Sequence, residues 1–170
     1  EASTRPNMRY VAPKSEEQQV MAVCHRVRDG YVKDRTAVMS RIGAALLEFG
    51  LSLPVGHKTM RSLFTWLGSQ PQAELPRLFL RELEEMHQHY LYLDERIKEQ
   101  DKKIKAWAKQ EELCQLVKTI PGVGDMVATS LVMEVGDGKQ FKNGRELAAW
   151  LGLVPAQYST GGKQKLLGIS

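Results

Sequence analysis

Two hydroxyls beside a glycine pair and a cation, in Tyr158-Ser159-Thr160-Gly161-Gly162-Lys163, form the segment of this chain best equipped for covalent chemistry. A hydroxyl that attacks a phosphodiester needs open access, a group to take its proton, and positive charge for the phosphorane. Gly161 and Gly162 would give access on what reads as a flexible loop, and Lys163 or Lys165 would give charge. No His or carboxylate lies within the segment to act as base. By residue type alone, a nucleophile and an inert Ser-Thr-Gly-Gly loop both stay open.

Two further segments could meet a polyanion. Ile120-Pro121-Gly122-Val123-Gly124, followed by Asp125-Met126-Val127-Ala128, resembles the turn of a helix-hairpin-helix motif. Such a turn bares backbone N–H groups and sets the positive end of a new helix beside them. Glycine lets a phosphate approach with no side chain in the way. Gly122, Val123 and Gly124 are therefore candidate nucleic-acid contacts, with Ile120 and Val123 expected to anchor the turn to the core. Asp125 works against an anion, and a plain tight turn between packed helices is the competing reading. The other segment is a basic face. Arg26, Arg28, Lys33, Arg35 and Arg41 fall between apolar positions, opposed by Asp29 and Asp34. That face can track a sugar-phosphate backbone, or it is simply solvated.

The elements that position these groups read as helices. Residues 1–14, with Pro6 and Pro13, suggest an extended segment. Ser15 and Gln18 have the spacing of a capping box, which starts a long helix running to about Phe49 and stopped by Gly50. Its apolar stripe is placed at Val20, Cys24, Val27, Tyr31, Val38, Ile42, Ala45 and Phe49. A short helix is expected over 60–67. A second long helix should begin near Glu74, with Pro76 in its first turn. Phe79, Leu83, Met86, Tyr90, Leu93, Ile97, Gln100, Ile104 and Trp107 alternate spacings of four and three, a coiled-coil seam. Its partner is either the first helix or another copy of the chain. Past residue 112 glycines crowd in, and short helices are expected at 113–119, 125–135 and 144–151. The fold class is thus mainly α: two long helices forming a coiled coil over 15–111, then a small helical domain over 112–170.

Bulk properties narrow the partners. With 42% hydrophobic residues, the 170-residue chain can bury a core for one or two small domains. The net charge of +4 is carried at the ends. Residues 1–60 hold nine Lys/Arg against six Asp/Glu and residues 113–170 hold six against four, while the middle holds nine against ten. Basic flanks suggest nucleic-acid contacts there and protein contacts between them. Cys24 and Cys114 read as reduced buried thiols, and no His or Cys spacing suggests zinc, so no metal site is expected. No apolar run approaches the ~20 residues that span a bilayer, so no membrane partner is expected.

The run from Ile120 to Gly124, through Phe141-Lys-Asn-Gly-Arg-Glu-Leu-Ala-Ala-Trp150-Leu-Gly-Leu-Val-Pro155, to Tyr158-Ser-Thr-Gly-Gly-Lys163 and Gly168-Ile-Ser170 resembles the C-terminal domain of the insertion-sequence-110 transposases, nearest their insertion-sequence-1111 branch. Arg5-Pro-Asn-Met-Arg-Tyr10 with Lys14-Ser-Glu-Glu-Gln-Gln19 resembles the same branch. The resemblance implies a bridge-RNA-guided serine recombinase, with DNA and a structured guide RNA as partners. It implies Ser159 as nucleophile, with Thr160 the alternative should the register slip by one. It also implies an upstream RuvC-like domain holding Mg²⁺ on four acidic residues, which this chain would lack; the fragment itself would need no cofactor and be inactive alone. A homo-oligomer through the coiled coil and a cytoplasmic, nucleoid-associated location are further expectations. The competing function is a non-catalytic helix-hairpin-helix module that grips DNA.

Overall fold

The structure is a computed structural model that describes residues 13–70, 75–160 and 163–169; for 155–160, 163–167 and 169 it describes the backbone. The extended segment expected at residues 1–12 lies outside the described residues. Ser15 caps the first helix, α1 (Glu16–Leu47): its Oγ accepts from Gln18 N–H at 3.2 Å, and Gln18 Oε1 accepts from Ser15 N–H at 2.9 Å. Both free donors are satisfied, as the Ser-x-x-Gln spacing requires. At the other end Gly50 sits at φ 73, a conformation open to glycine without strain. The expected helix over 60–67 is instead two short ones, α2 (His57–Arg61) and α3 (Leu63–Gly68), meeting at Ser62. Pro76 stands outside the next helix as its N-cap, with ψ 140, so α4 runs Arg77–Gln110.

Glu111 takes an extended conformation (ψ 114) and ends α4. Gln115 Nε2 donates to the freed Ala108 carbonyl at 2.5 Å, which fixes the corner into α5 (Glu112–Val117). Then come α6 (Asp125–Val135) and α7 (Gly144–Trp150). The chain closes with an antiparallel ribbon of β1 (Pro155–Thr160) and β2 (Lys163–Ile169). The protein is mainly helical, as expected, but the ribbon corrects the flexible loop read over Tyr158–Lys163. A Gly-Gly pair between Gln-Tyr-Ser-Thr and Lys-Gln-Lys-Leu is a two-residue hairpin signal that could have shown it.

Helices α1 and α4 pack antiparallel, because Arg28 meets Asp101 while Arg35 meets Asp94. The core at their far end joins Val38, Ile42 and Leu46 to Leu63, Leu83 and Tyr90. Of the two partners left open for the α4 seam, the first helix of the same chain fills it: Leu83, Tyr90, Leu93, Ile97 and Ile104 are all buried. The stripe is broader than a two-position seam, since His87, Asp94 and Ala108 are buried as well. On α1 the stripe read from sequence is wrong by one position along its first half. Met21 and His25 are buried, whereas Val20 is 62% and Val27 36% exposed. Phe49, the last position of that stripe, is 43% exposed. The cause is polar residues on the buried face: His25, Arg28 and Arg35 hold positions that hydrophobicity alone assigns to solvent.

His25 ties α6 to α1. Thr129 Oγ1 donates to the Asp125 carbonyl at 2.8 Å, so it accepts from His25 Nε2–H at 2.9 Å. Ser130 Oγ lies 3.4 Å from Nδ1, which is left to accept. The neutral ring is therefore the satisfied form. Burial lowers the His25 pKa below 6.5; Asp29 partly opposes this and Arg28 assists it. A lowered histidine pKa means the contact is complete above pH 6.5 and weakens as pH falls through the folded-state value. His25→Ala is expected to speed hydrogen exchange of the α6 amides about tenfold at pH 8, with a smaller effect on α4. Equal protection of α6 in both proteins would show that the contact does not hold the two parts together.

Candidate nucleic-acid interface

The α5–α6 unit presents the backbone donors. Gly122, at φ 86, reverses the chain so that Val123 turns into the cluster of Ala108, Cys114, Ala128 and Val132. Ile120 does not anchor the turn as expected; it is 53% exposed at the tip. Gly124 precedes α6 and no side chain caps that helix. The first-turn N–H groups of α6 thus face outward without an intrahelical acceptor. Asp125, which ought to repel an anion, is neutralised: Lys118 Nζ lies 2.7 Å from its Oδ1 and, through that bond, lowers its pKa.

The basic face of α1 divides into two sets. Arg26, Lys33 and Arg41 are exposed. Arg28 and Arg35 are drawn into the α1–α4 contact, where Arg28 Nε meets Asp101 Oδ1 and Arg35 Nη1 meets Asp94 Oδ1, each at 2.5 Å. Asp94 is the hub of the hairpin. Its side chain is 4% exposed and also receives Arg61 Nε at 2.9 Å and Lys98 Nζ at 3.3 Å. Burial pushes its pKa up, but the hydrogen bonds from Arg61, Arg35 and Lys98 outweigh burial and hold it down to about 2. Beside it Tyr90 Oη lies 3.1 Å from His57 Nδ1, and His87 Nε2 donates to the Met60 carbonyl at 2.9 Å. These contacts fasten α2 to α4.

Sequence reasoning missed the hub, although its signal was present. Arg28 and Arg35 are seven apart, as are Asp94 and Asp101. Opposite charges on matching heptad positions of two long helices form an antiparallel ladder.

The hydroxyl ribbon lies at the chain's other end. Its register sets Ser159 across from Gln164, Thr160 across from Lys163, and Tyr158 across from Lys165. Gly161 and Gly162 lie outside the described residues. Among the described residues no three His, Cys, Asp or Glu come together in a way that could hold a metal ion. No described helix is long and apolar enough to cross a membrane.

Fold and site together define a mainly helical protein with an uncapped helix start behind a glycine turn and a hydroxyl-bearing ribbon. Comparison with known proteins finds relatives for it. Residues 114–170 match the model of the Transposase IS116/IS110/IS902 family. The whole chain is 44% identical to the transposase for insertion sequence element IS1328 of Yersinia enterocolitica, covering 50% of that protein. It is 42% identical, again over its full length, to the transposase for insertion sequence element IS1111A of Coxiella burnetii, covering 47% of that protein. Over 58 residues, 32% of this chain and 18% of the relative, it is 36% identical to the pilin gene-inverting protein of Moraxella bovis. No solved structure matches. Residues 114–170 thus resemble that transposase family, the whole chain is similar to insertion-sequence transposases, and it spans about half the length of the curated relatives it matches.

Proposed function

We propose that this chain is the part of a DNA transposase that binds nucleic acid and supplies the hydroxyl for strand exchange. Similarity along this whole chain to two insertion-sequence transposases, at 44% and 42% identity, carries the reading; the uncapped start of α6 and the Ser159 ribbon give it chemistry. The partners are DNA and a structured guide RNA, with further copies of the chain joining through surfaces other than the filled α4 seam. Backbone donors at Gly122 and Gly124 take one phosphate group, while the Val123 N–H, a candidate by sequence, is already donated to the Ile120 carbonyl at 3.1 Å; Arg26, Lys33 and Arg41 follow the strand from α1. Arg28 and Arg35 serve the hairpin instead, because removing their charges would take Asp101's ion pair and one of the three that hold Asp94.

In the proposed exchange, Ser159 Oγ forms a bond to phosphorus as the bond to one deoxyribose oxygen breaks. The serine proton ends on that leaving oxygen. Attack by another deoxyribose hydroxyl reverses the step and rejoins a strand with no external energy source. Lys163 and Lys165 on β2 pair with Thr160 and Tyr158, and not with Ser159, so they are assigned to screening the bound strand's charge. The described residues do not fit a metal site, and no step is routed through one. A second reading is favoured by one observation: Ser159 sits within a strand and not on an open loop. In that reading the chain grips DNA and the ribbon is inert.

The binding arm is tested at Gly124. Its φ is ordinary, and a Cβ built there meets nothing within 4 Å. Gly124→Val is therefore expected to leave the melting temperature nearly unchanged. Affinity for DNA should fall about tenfold, measured by anisotropy at fixed salt, since the branched side chain stands where phosphate approaches. Undiminished affinity in the folded variant would remove the α5–α6 turn from the interface.

A further inference from the structure

The proposed nucleic-acid reading leaves one feature unused: α7 buries no residue, and the segment after it is apolar and exposed. Trp150 is 52% exposed at its end, followed by Leu153 at 51% and Val154 at 47%. Phe141, from the preceding turn, meets the indole edge-to-face, with ring centroids 5.7 Å apart and planes 62° apart. In that arrangement, whichever ring offers its edge, at least one indole face is not covered by Phe141.

We infer that Trp150, braced by Phe141, is a stacking platform for an unpaired nucleobase of single-stranded DNA or RNA. The inference rests on the proposed nucleic-acid function and deepens it. Three observations favour this occupant over an apolar protein surface. First, exposed cations share the platform's short segment: Lys142 follows Phe141 directly and Arg145 lies in the first turn of α7. A π-face with Lys and Arg on the same segment suits a base and its phosphate, whereas such charge disfavours an apolar protein contact. Second, the platform is held rigid at both ends. Asn143 Oδ1 accepts from Glu146 N–H at 3.1 Å, and Glu146 Oε2 accepts from Lys142 N–H at 2.6 Å. Gly152, at φ 74, turns the chain so that Leu153 N–H reaches the Ala148 carbonyl at 2.8 Å. A ring already fixed loses little freedom when a base settles on it. Third, four residues separate α7 from β1, so chain length alone keeps a base held on Trp150 within about 30 Å of Ser159.

The test uses the 170-residue chain and two probes: a thymidine oligomer of about 20 nucleotides, and an abasic oligomer of equal length and charge. Trp150→Ala is expected to weaken thymidine-oligomer binding about tenfold while leaving abasic binding and the salt slope unchanged. Trp150→Phe should recover most of the loss. Circular dichroism and melting temperature establish that both variants fold. Equal losses on both oligomers would assign Trp150 a structural role and overturn the platform, as would no loss on either. If the unaltered chain bound neither oligomer, the nucleic-acid reading itself would fail with it. Normal binding by wild type and Trp150→Ala alike would sink the platform alone.

Discussion

Ser159→Ala in the complete transposase is expected to abolish strand exchange, by at least about a thousandfold, while nucleic-acid binding and folding persist. On the proposed mechanism, loss of the oxygen would remove the covalent intermediate itself, not merely a contact that lowers a barrier, so no neighbouring group would compensate by proximity alone. Thr160→Ala is the necessary companion. The ribbon register sets Thr160, and not Ser159, across from Lys163, so cation placement by itself does not single out the serine. Recombination that survives Ser159→Ala but not Thr160→Ala would move the nucleophile by one residue. Survival in both would leave the ribbon structural and favour the non-catalytic grip on DNA.

Asp94→Ala carries the largest expected cost to stability. Arg35 is 13% exposed on its side chain and would lose its carboxylate partner in the interior. An uncompensated charge of this kind costs about 3–5 kcal/mol, or roughly 10 °C in melting temperature for a chain of this size. The hub also makes stability acid-sensitive. A folded pKa of about 2 against the ordinary 3.8 means the Asp94 contribution is complete above pH ~4 and fades as pH falls toward 2. The shift corresponds to about 2 kcal/mol. Subtracting the stability of Asp94→Asn from wild type across that interval should give a difference that shrinks with acid. A constant difference would mean that the ion pairs hold nothing beyond what a neutral amide can.

Periodicity made the large features legible. The capping box at Ser15, the α6 limits at Asp125 and Val135, and five buried seam positions at Leu83, Tyr90, Leu93, Ile97 and Ile104 all follow from apolar spacing and capping residues. The rule fails where polar groups are buried in pairs. Val20 and Val27 look like core next to His25 and Arg28, yet the histidine has Thr129 and the arginine has Asp101. Those partners lie more than 70 residues away in sequence, so no local window displays them. Net charge misled in the same way. Arg28 and Arg35 count toward a basic face until α4 brings acids to meet them. The ribbon is legible in principle from the Gly-Gly pair between its two runs, a hairpin signal that competes with the reading of those glycines as access for a strand. Trp150 carries no sequence signal of its exposure, because an aromatic at a helix end ordinarily faces a core; only the packing leaves it 52% exposed.

The central claim, that this chain carries the hydroxyl that joins protein to DNA, is tested most directly by trapping. Full-length transposase containing this sequence would be incubated with its nucleic-acid substrates, quenched under denaturing conditions and digested, and the DNA-linked peptide sequenced by mass spectrometry. The account predicts a phosphodiester-linked nucleotide on Ser159, lost in Ser159→Ala. A linked nucleotide on a residue outside the β1–β2 ribbon, or strand exchange with no protein–DNA link at any time point, would contradict it.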